Sequence, residues 1–353
     1  MSGAPGPALP PASSVSDAAG PDMDAAVPLL DVRALSRGFA VRGRRRLQAV
    51  RQVSFVVSRG ETLALVGESG CGKSTLGRLI LRLLRPDSGS VHFDGTDLSA
   101  LSSRQLRPWR RRMQVVFQDP YSALNPRRTV RATLVEALRL HGLLGARSEQ
   151  EARVADLLQR VGLPAAHMHR YPHEFSGGQR QRIGIARALA VEPEFVVADE
   201  PVSALDVSVQ AQVIGLLQQL QAEAGLSYLF ISHDLHVVRL LATRVAVMYL
   251  GALVEVAPAA ALFLAPRHPY TRALIDAAPT PHVVREAGRR LRLWGDPPSP
   301  IDLPQGCAFH PRCPAATDRC RSGESPPLRP VQTGHWVACH FDDGVQRALE
   351  QST

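Results

Sequence analysis

The sequence predicts an α/β fold built around a mainly parallel β-sheet. Apolar runs of strand length recur along the chain, and segments with the apolar spacing of helices lie between them. The clearest predicted strands are Thr62–Val66, 195–198, 228–231 and 245–249. The clearest predicted helices are 76–84, 179–190 and 207–222. With 353 residues, 45% of them hydrophobic, the chain has enough material for a sizeable core and roughly two domains.

Changes in composition predict the domain organisation. Residues 28–275 carry the alternating strands and helices, and within them 120–175 is expected to be a helical insertion rich in Leu, Ala and Val. From 276 to 353 the composition shifts to Pro, Arg, Gly and Cys, which predicts a small C-terminal extension. Residues 1–27 are rich in Ala, Pro, Ser and Gly and contain no Lys or Arg, so we expect a disordered tail and not a signal peptide. We find no internal repeat, which predicts one core unit per chain.

The basic charge of the chain is compatible with more than one class of anionic partner and does not select between them. The formal net charge is +9, and every basic residue except Lys73 is an arginine. A basic balance permits contact with nucleic acid or with an anionic membrane surface. The preference for arginine is typical of a compositional bias, so the single lysine indicates a site that requires an ammonium group. No apolar run reaches the length of about 18 residues that a membrane span needs, since 251–265 is interrupted by Glu255 and Pro258.

A phosphate-binding loop is predicted directly after the strand Thr62–Val66. The segment 67–75 fits the pattern G-x-x-x-x-G-K-[ST] and leads into a helix expected to begin near Thr75. Glycines let backbone N–H groups approach phosphate oxygens, and the helix N-terminus adds its positive dipole end. Lys73 is expected to reach the β- and γ-phosphates, Ser74 to bind Mg²⁺, and Cys71 to face away from the phosphates. The predicted nucleotide-binding residues of this loop are Gly67, Glu68, Ser69, Gly70, Cys71, Gly72, Lys73, Ser74 and Thr75.

Two carboxylates and a histidine follow other predicted strands. The strand 195–198 leads into Asp199 and Glu200, where Asp199 is placed to hold Mg²⁺, directly or through water, and Glu200 to polarise an attacking water. An ordinary strand followed by a solvated acidic turn gives the same pattern, so the pair alone does not decide. His233 follows the strand 228–231 and is expected to contact the γ-phosphate and the water near Glu200.

A second anion site is predicted at Ser176, Gly177, Gly178 and Gln179, at the start of the helix 179–190. A serine and two glycines at a helix N-terminus favour anion binding. One nucleotide does not need two separate phosphate cradles on one chain. A head-to-tail dimer, in which each chain covers the nucleotide of its partner, explains the second cradle.

The order of these motifs resembles that of the ABC-type ATPases. The resemblance rests on the phosphate loop, Gln118, the segment 176–179, Asp199 with Glu200, the segment 203–206 and His233. It covers about residues 28–275 and implies a P-loop ABC ATPase core that binds ATP and Mg²⁺. It also implies the following roles: Glu200, His233, Lys73 and Gln118 in catalysis; Ser74, Gln118 and Asp199 at Mg²⁺; Phe39 stacked on adenine; Gln118 against a transmembrane partner; and Asp206 between the two sites of the dimer.

Three further segments resemble the ATPases of oligopeptide and dipeptide importers. They are 118–127 (Gln-Asp-Pro-Tyr-Ser-Ala-Leu-Asn-Pro-Arg), 171–179 (Tyr-Pro-His-Glu-Phe-Ser-Gly-Gly-Gln) and 266–274 (Pro-Arg-His-Pro-Tyr-Thr-Arg-Ala-Leu). Tyr121 resembles the F-type of the two ATPases that such importers carry. The resemblance implies uptake of di- or oligopeptides, while nickel, glutathione or another solute stays open because other subunits contact the cargo. A non-transport ABC ATPase acting on nucleic acid is a further alternative, but such chains usually carry two cassettes or long coiled-coil insertions.

Four of the five cysteines, Cys307, Cys313, Cys320 and Cys339, lie near the C-terminus with gaps of 5, 6 and 18 residues. A protein that is never exported is not expected to form structural disulfides. Zinc sites more often use tight C-x-x-C pairs, and four thiolates can instead hold an iron–sulfur cluster. Similar peptide-importer ATPases carry a cysteine-rich C-terminal region, in some with a [4Fe–4S] cluster, which favours that cofactor. Zinc and plain reduced cysteines remain alternatives, as does a docking or regulatory role for the extension.

The same resemblance implies an assembly at the cytoplasmic face of the inner membrane, where the chain is expected to be peripheral. The implied partners are a second ATPase subunit of the different D-type, two transmembrane permease subunits and an extracytoplasmic solute-binding protein, without nucleic acid. Closure of the ATPase pair on two ATPs is expected to push on the permeases through the Gln118 region and the helical insertion. Hydrolysis would then reopen the pair.

Overall fold

A computed structural model describes residues 27–41, 45–119, 121, 124–143, 145–278, 291, 295–341 and 343–350. The tail expected at 1–27 lies outside these residues except for Val27. The strands are β1 Leu30–Ala40, β2 Arg46–Val57, β3 Thr62–Val66, β4 Ser88–Phe93, β5 Thr96–Asp97, β6 Met113–Val116, β7 Phe195–Asp199, β8 Ser227–Ile231, β9 Arg244–Tyr249, β10 Ala252–Pro258, β11 Arg329–Gln332 and β12 His335–Val337. The helices are α1 Lys73–Ile80, α2 Arg107–Arg112, α3 Val130–Leu140, α4 Arg147–Arg160, α5 Gly177–Leu189, α6 Val207–Ala224, α7 Leu235–Leu241, α8 Ala259–Leu264, α9 Pro269–Ala277, α10 Asp318–Arg321 and α11 Gly344–Glu350. Short 3₁₀ helices lie at Ala165–His169, Pro172–Glu174 and His310–Arg312.

The main sheet has the strand order β11-β12-β10-β9-β3-β8-β7-β6. Strands β9, β3, β8, β7 and β6 are parallel, and β10, β12 and β11 continue the sheet in antiparallel fashion. The strands β3, β7 and β8 are buried along their whole length, as continuous apolar strands of a covered parallel sheet are. This architecture confirms the predicted α/β fold class. It also brings the loops after β3, β7 and β8 to one edge of the sheet.

A second, antiparallel sheet has the order β2-β1-β4-β5. Its apolar side chains share one buried cluster with α1 and one face of the main sheet, including Val32, Phe55, Leu76 and Leu79. The pairing of β1 with β2 changes register at several points between Val32 and Gly38. These irregularities interrupt the alternation of apolar and polar residues, which is why the sequence pattern did not predict this sheet.

The chain between β6 and β7 is largely helical. Helix α3 begins after Thr129, whose hydroxyl accepts a hydrogen bond from the N–H of Ala132 at 3.2 Å. Helices α3, α4 and α5 bury their apolar faces in one cluster that contains Leu134, Leu158 and Ile183. The bounds of 120–175 for an inserted helical subdomain stay a prediction.

Part of the expected C-terminal extension continues the main sheet. Strand β12 pairs with β10, and Val337 lies opposite Glu255. The Glu255 side chain is fully buried and accepts hydrogen bonds from the N–H of Arg267 (2.7 Å), the N–H of His268 (2.8 Å) and Nε2–H of His335 (2.7 Å). One carboxylate therefore joins β10, the segment before α9 and β12.

The helix predicted at 76–84 is wrong at both ends, because α1 spans Lys73–Ile80. It begins early since Gly72, in a left-handed conformation, turns the loop directly into the helix. It ends early because Arg82 has a φ of 53°, and its guanidinium donates to the carbonyl oxygens of Leu98 and Ser99, each at 3.0 Å. Among the residues with described structure, no helix is both long enough and apolar enough to cross a membrane.

Candidate functional site

The phosphate-binding loop connects β3 to α1 at the edge where the parallel strands end. Gly72 has a φ of 110°, and a Cβ there would lie 2.1 Å from the carbonyl oxygen of Ala49. A Cβ at Gly67 would lie 2.2 Å from the carbonyl oxygen of Met248. Glycine is therefore required at both positions by close backbone approach. The compact loop that results suits a cradle of N–H groups for an anion.

Lys73 and Ser74 open α1 and face different partners. The buried Lys73 donates through Nζ to the carbonyl oxygens of Gly67 at 2.8 Å and Glu68 at 3.0 Å. The hydroxyl of Ser74 donates to Oδ1 of Asp199 at 2.9 Å. Two of the expected Mg²⁺-binding side chains are thus in direct contact, and the ammonium group is held within the loop.

The Ser74–Asp199 pair suits a hard cation. Burial raises the pKa of Asp199, and the hydrogen bond from Ser74 opposes that rise because it stabilises the charged carboxylate. Hydroxyl and carboxylate oxygens are the donor types that Mg²⁺ prefers. When bound, the ion would neutralise negative charge on the phosphates.

Glu200 is the point on which the remaining predicted catalytic side chains converge. Its Oε2 accepts a hydrogen bond from Nε2 of Gln118 at 2.8 Å and lies 3.2 Å from Nδ1 of His233. Glu200 has a φ of 46°, which is unfavourable for a residue with a side chain, and its N–H donates to the carbonyl oxygen of Ile231 at 3.0 Å. The backbone of β8 therefore helps to fix Glu200. Gln118 and His233 orient a carboxylate that can polarise a water molecule.

The other residues of the predicted loop differ in exposure. Ser69 and Gly70 are exposed, Thr75 is half-buried and Cys71 is buried. Burial raises the pKa of the Cys71 thiol, whose Sγ lies 3.9 Å from Nζ of Lys73. A buried neutral thiol is a poor nucleophile.

The second predicted anion site lies at the start of α5. Ser176 is the N-cap, and its hydroxyl accepts from the N–H of Gln179 at 3.4 Å, while the N–H of Ser176 donates to Oε1 of Gln179 at 3.1 Å. Ser176 is exposed, and Gly177 and Gly178 lie against Leu205 and Val209. No described contact within this chain joins the site to the phosphate-binding loop.

Phe39 and Asp206 are predicted residues with no described contact to the catalytic cluster. Phe39 lies half-buried in β1, opposite Leu47, with the guanidinium of Arg37 5.1 Å from its ring centroid. Asp206 is exposed at the N-terminus of α6, next to the 82% exposed Val207. The roles inferred for Phe39 and Asp206 stay predictions.

The four C-terminal cysteines Cys307, Cys313, Cys320 and Cys339 line one cavity, and all four are free thiols. Burial raises the pKa of Cys307 to about 11 and that of Cys313 to about 12. His340 also lines the cavity, and its Nε2 is buried without a hydrogen-bond partner among the described residues. In the described part of the chain, no three His, Cys, Asp or Glu side chains are arranged so that they could hold a metal ion.

Arg312 and Tyr270 contact the phosphate-binding loop, and sequence reasoning did not assign either to the site. Arg312 donates through Nη1 and Nη2 to both carboxylate oxygens of Glu68, at 2.8 and 2.9 Å. The hydroxyl of Tyr270 accepts a hydrogen bond from the N–H of Glu68 at 2.9 Å. Arg312 lies in no recognisable spacing pattern, and Tyr270 offered only its place in a segment shared with peptide-importer ATPases.

A phosphate loop after β3, a Ser–Asp pair and an oriented glutamate at the end of β7 define this chain as an ATPase cassette. Residues 50–203 match the ABC transporter family, and residues 254–320 match the family described as the C-terminal region of oligopeptide/dipeptide transporters. The chain is 57% identical over 294 residues to a probable peptide ABC transporter ATP-binding protein of Sinorhizobium fredii, covering 83% of this chain and 82% of the relative. It is 51% identical over 317 residues to a putative oligopeptide transport ATP-binding protein of Bacillus subtilis, covering 89% of this chain and 96% of the relative. The chain therefore belongs to the ABC transporter ATP-binding proteins of the oligopeptide/dipeptide transporter family.

Solved structures are similar over the cassette. One is cbiO1 of Clostridium perfringens, part of the ABC transporter complex cbiONQ, with a TM-score of 0.60 and 28% identity over 67% of this chain and 91% of that chain. Another is a dimeric ATP-binding cassette in a post-hydrolysis state with ADP and phosphate. Its TM-score is 0.59 and it is 26% identical, over 65% of this chain and 98% of that chain. These likenesses confirm the predicted ABC ATPase core and its ATP-hydrolysing activity.

Proposed function

We propose that this chain is the ATP-hydrolysing subunit of an importer that takes up di- and oligopeptides. The observation that carries the proposal is the convergence of Gln118 and His233 on Glu200, beside the Ser74–Asp199 pair. The cargo class is supported by the names of the relatives and by the oligopeptide/dipeptide family match at 254–320.

The side chains divide the chemistry between them. Lys73 holds the β- and γ-phosphates, and Ser74 and Asp199, with Gln118, bind Mg²⁺. Glu200 polarises the attacking water and accepts its proton, while His233 contacts the γ-phosphate and holds Glu200 in place. The loop residues 67–75 supply N–H groups to the phosphates, and Phe39 stacks on the adenine.

The proposed assembly follows from the two separate anion sites on each chain, the phosphate-binding loop and the helix start at 176–179. The helix start at 176–179, with its exposed Ser176, completes the ATP site of a second cassette in a head-to-tail dimer, and Asp206 links the two sites. Dimeric structures of similar cassettes support this arrangement. In the proposed complex the partner cassette is a D-type subunit, this chain is the F-type, and two permease subunits contact the Gln118 region. A solute-binding protein delivers the cargo from outside, and the cassettes lie at the cytoplasmic face of the inner membrane.

The proposed domain bounds are 28–275 for the nucleotide-binding domain and 276–353 for the extension. Strand β12, which lies in the extension, pairs with β10 of the nucleotide-binding domain. We therefore expect the extension to be required for a stable cassette. Deleting 276–353 should lower the melting temperature as well as the turnover, whereas an extension with a purely regulatory role would leave the melting temperature unchanged.

The test of the import function is ATP-dependent uptake in cells that carry the whole transporter. Labelled dipeptides, longer peptides and nickel are offered to cells with the wild-type chain, the Glu200→Gln variant, or Glu223→Gln as a matched control on the exposed surface of α6. We expect peptide uptake to be lost only with Glu200→Gln. Loss of nickel uptake alone would contradict the peptide cargo, and undiminished peptide uptake in that variant would contradict the proposed function.

We also propose a [4Fe–4S] cluster on Cys307, Cys313, Cys320 and Cys339. The supporting observation is that the four free sulfurs line one cavity, although the described side chains there are not drawn together closely enough to hold a metal ion as they stand. Four thiolates are the usual ligand set of such a cluster, which would give the extension a covalently linked centre.

The cluster is tested by anaerobic purification followed by iron and sulfide analysis. We expect a brown protein with about four irons per chain, lost in Cys320→Ser and retained in the control Cys71→Ser. A colourless, iron-free protein would contradict the cluster, and stoichiometric zinc would favour the zinc alternative.

A further inference from the structure

The loop that carries two of the four cysteines is in direct contact with the ATP site. This cysteine loop is residues 307–313, and the 3₁₀ helix His310–Arg312 lies within it between Cys307 and Cys313. Its last residue, Arg312, forms the paired hydrogen bonds to Glu68 that link it to the phosphate-binding loop. The Arg312 side chain is only 5% exposed, so this contact is largely removed from solvent.

Glu68 in turn fixes the catalytic lysine. Its carbonyl oxygen accepts a hydrogen bond from Nζ of Lys73, and its N–H donates to the hydroxyl of Tyr270. A displacement of Glu68 would therefore move an atom that binds the Lys73 ammonium. The Glu68 carboxylate is also an anion in a loop that must accept a triphosphate, and Arg312 neutralises it.

A second contact, through Tyr270, also joins the cysteine loop to Glu68. Phe309, in the same cysteine loop, lies 5.5 Å from the ring of Tyr270 and 5.4 Å from the ring of Tyr249, measured between centroids. Phe309 also lines the cavity of the four cysteines. The carboxylate of Glu68 is thus held by a residue of this loop, Arg312, and its backbone N–H by Tyr270, which packs against the loop.

The cysteine loop is itself closed by hydrogen bonds between backbone atoms. The N–H of Cys307 donates to the carbonyl oxygen of Cys320 at 3.0 Å, and the N–H of Arg312 donates to that of Phe309 at 3.0 Å. The position of Arg312 therefore depends on how the cysteine residues are held. A change of the cysteine cavity, by gain or loss of a ligand or by oxidation, is therefore expected to shift this loop, because a close-packed loop transmits a displacement.

We propose that Arg312 is a positioning residue of the ATP site, and that the four-cysteine cavity sets ATP affinity through Arg312 and Glu68. The proposal rests on the ATPase function and adds a regulatory input to it. An intact cavity keeps Arg312 on Glu68 and the loop ready for ATP. A disturbed cavity leaves the Glu68 carboxylate unpaired, and its charge then repels the triphosphate.

The test compares ATP affinity and hydrolysis in the full-length chain within its transporter. Arg312→Gln is expected to raise the Kd and KM for ATP on the order of tenfold, as removal of one partner of a shielded charge pair does. We expect kcat to change little, because Glu200, Gln118 and His233 are untouched. Arg321→Gln, an exposed arginine of the same extension, is the matched control and should leave the Kd unchanged.

Two further substitutions distinguish a positioning role of Arg312 from a purely structural one. Glu68→Gln added to Arg312→Gln should restore most of the ATP affinity, since it removes the unpaired charge. Cys313→Ala should raise the Kd in the wild-type background and have no further effect in the Arg312→Gln background.

The outcomes are distinct from those that test the ATPase function itself. An unchanged Kd in Arg312→Gln, or no rescue by Glu68→Gln, would overturn the positioning role. Equal effects of Cys313→Ala in both backgrounds would overturn the link to the cysteine cavity. Failure of the ATPase function would instead be seen as an absence of ATP turnover by the wild-type transporter, whatever the Arg312 variants do to the Kd.

Discussion

The buried carboxylate of Glu255 is expected to be the main polar link between the C-terminal strands and the main sheet. Glu255→Ala would remove the acceptor of three donors: the buried N–H of His268, the buried Nε2–H of His335 and the part-buried N–H of Arg267. An unsatisfied buried donor costs about 1–3 kcal/mol, and breaking a buried charged network costs about 3–5 kcal/mol. Because the emptied site can admit some water, we expect a loss of about 4 kcal/mol in the free energy of unfolding.

Glu255→Gln should be intermediate. Its amide oxygen can accept hydrogen bonds where Oε1 of Glu255 does, from Arg267 and His335, but its NH₂ group then faces the N–H of His268. One donor is left unsatisfied, which predicts a loss of about 2 kcal/mol.

The assay is urea unfolding followed by tryptophan fluorescence, with Trp336 of β12 beside the altered site. Hydrogen exchange of the β12 amides locates the effect. Glu223→Ala, on the exposed surface of α6, is the control and should change the free energy of unfolding by less than about 0.5 kcal/mol. A loss in Glu255→Ala no larger than in this control would refute the reasoning.

Two further predictions concern the phosphate loop and a surface network. Gly72→Ala should reduce ATP affinity at least about 100-fold in a titration, because its Cβ would meet the carbonyl oxygen of Ala49 at 2.1 Å; near-normal affinity would contradict the close approach. Arg112→Gln should lower the free energy of unfolding at pH 7 by about 1 kcal/mol, a value reduced for solvent screening. Hydrogen bonds from Arg112 lower the pKa of Glu194 and of Asp94, so this stabilisation is present above their ordinary pKa values and is lost as the pH falls through the lowered ones. Urea unfolding should therefore give a much smaller difference between wild type and Arg112→Gln near about pH 3, and an equal difference at both pH values would contradict the electrostatic origin.

The parallel core could be predicted from sequence because its strands are continuous apolar runs. Thr62–Val66 is buried at every position and coincides with β3. Strand β1 could not be predicted in the same way, since half-exposed positions and changes of register hide its period. The end of α1 depends on the left-handed conformation of Arg82, which nothing in the residue type requires.

Most of the candidate catalytic cluster was predictable because its members have a local signature, whereas Gln118 was predicted only through the resemblance to the ABC-type ATPases. Lys73 lies in a motif, and Glu200 and His233 each follow a buried strand, so the parallel order of the strands brings them to one edge. The contact between Glu68 and Arg312 was not predictable, because the two residues are 244 positions apart and no spacing rule relates them. Tertiary structure alone places the cysteine loop on the phosphate-binding loop.

The most direct test of the central claim is ATP turnover by the assembled transporter with Glu200→Gln, measured together with the amount of bound ATP. Loss of a positioned general base lowers turnover by about 10²–10⁴-fold, while ATP binding through Lys73 and the loop should persist. We therefore expect Glu200→Gln to be a slow variant that retains ATP, beside a fully active Glu223→Gln control. Turnover within about twofold of wild type in Glu200→Gln would contradict the assignment of Glu200 and with it the proposed catalytic centre.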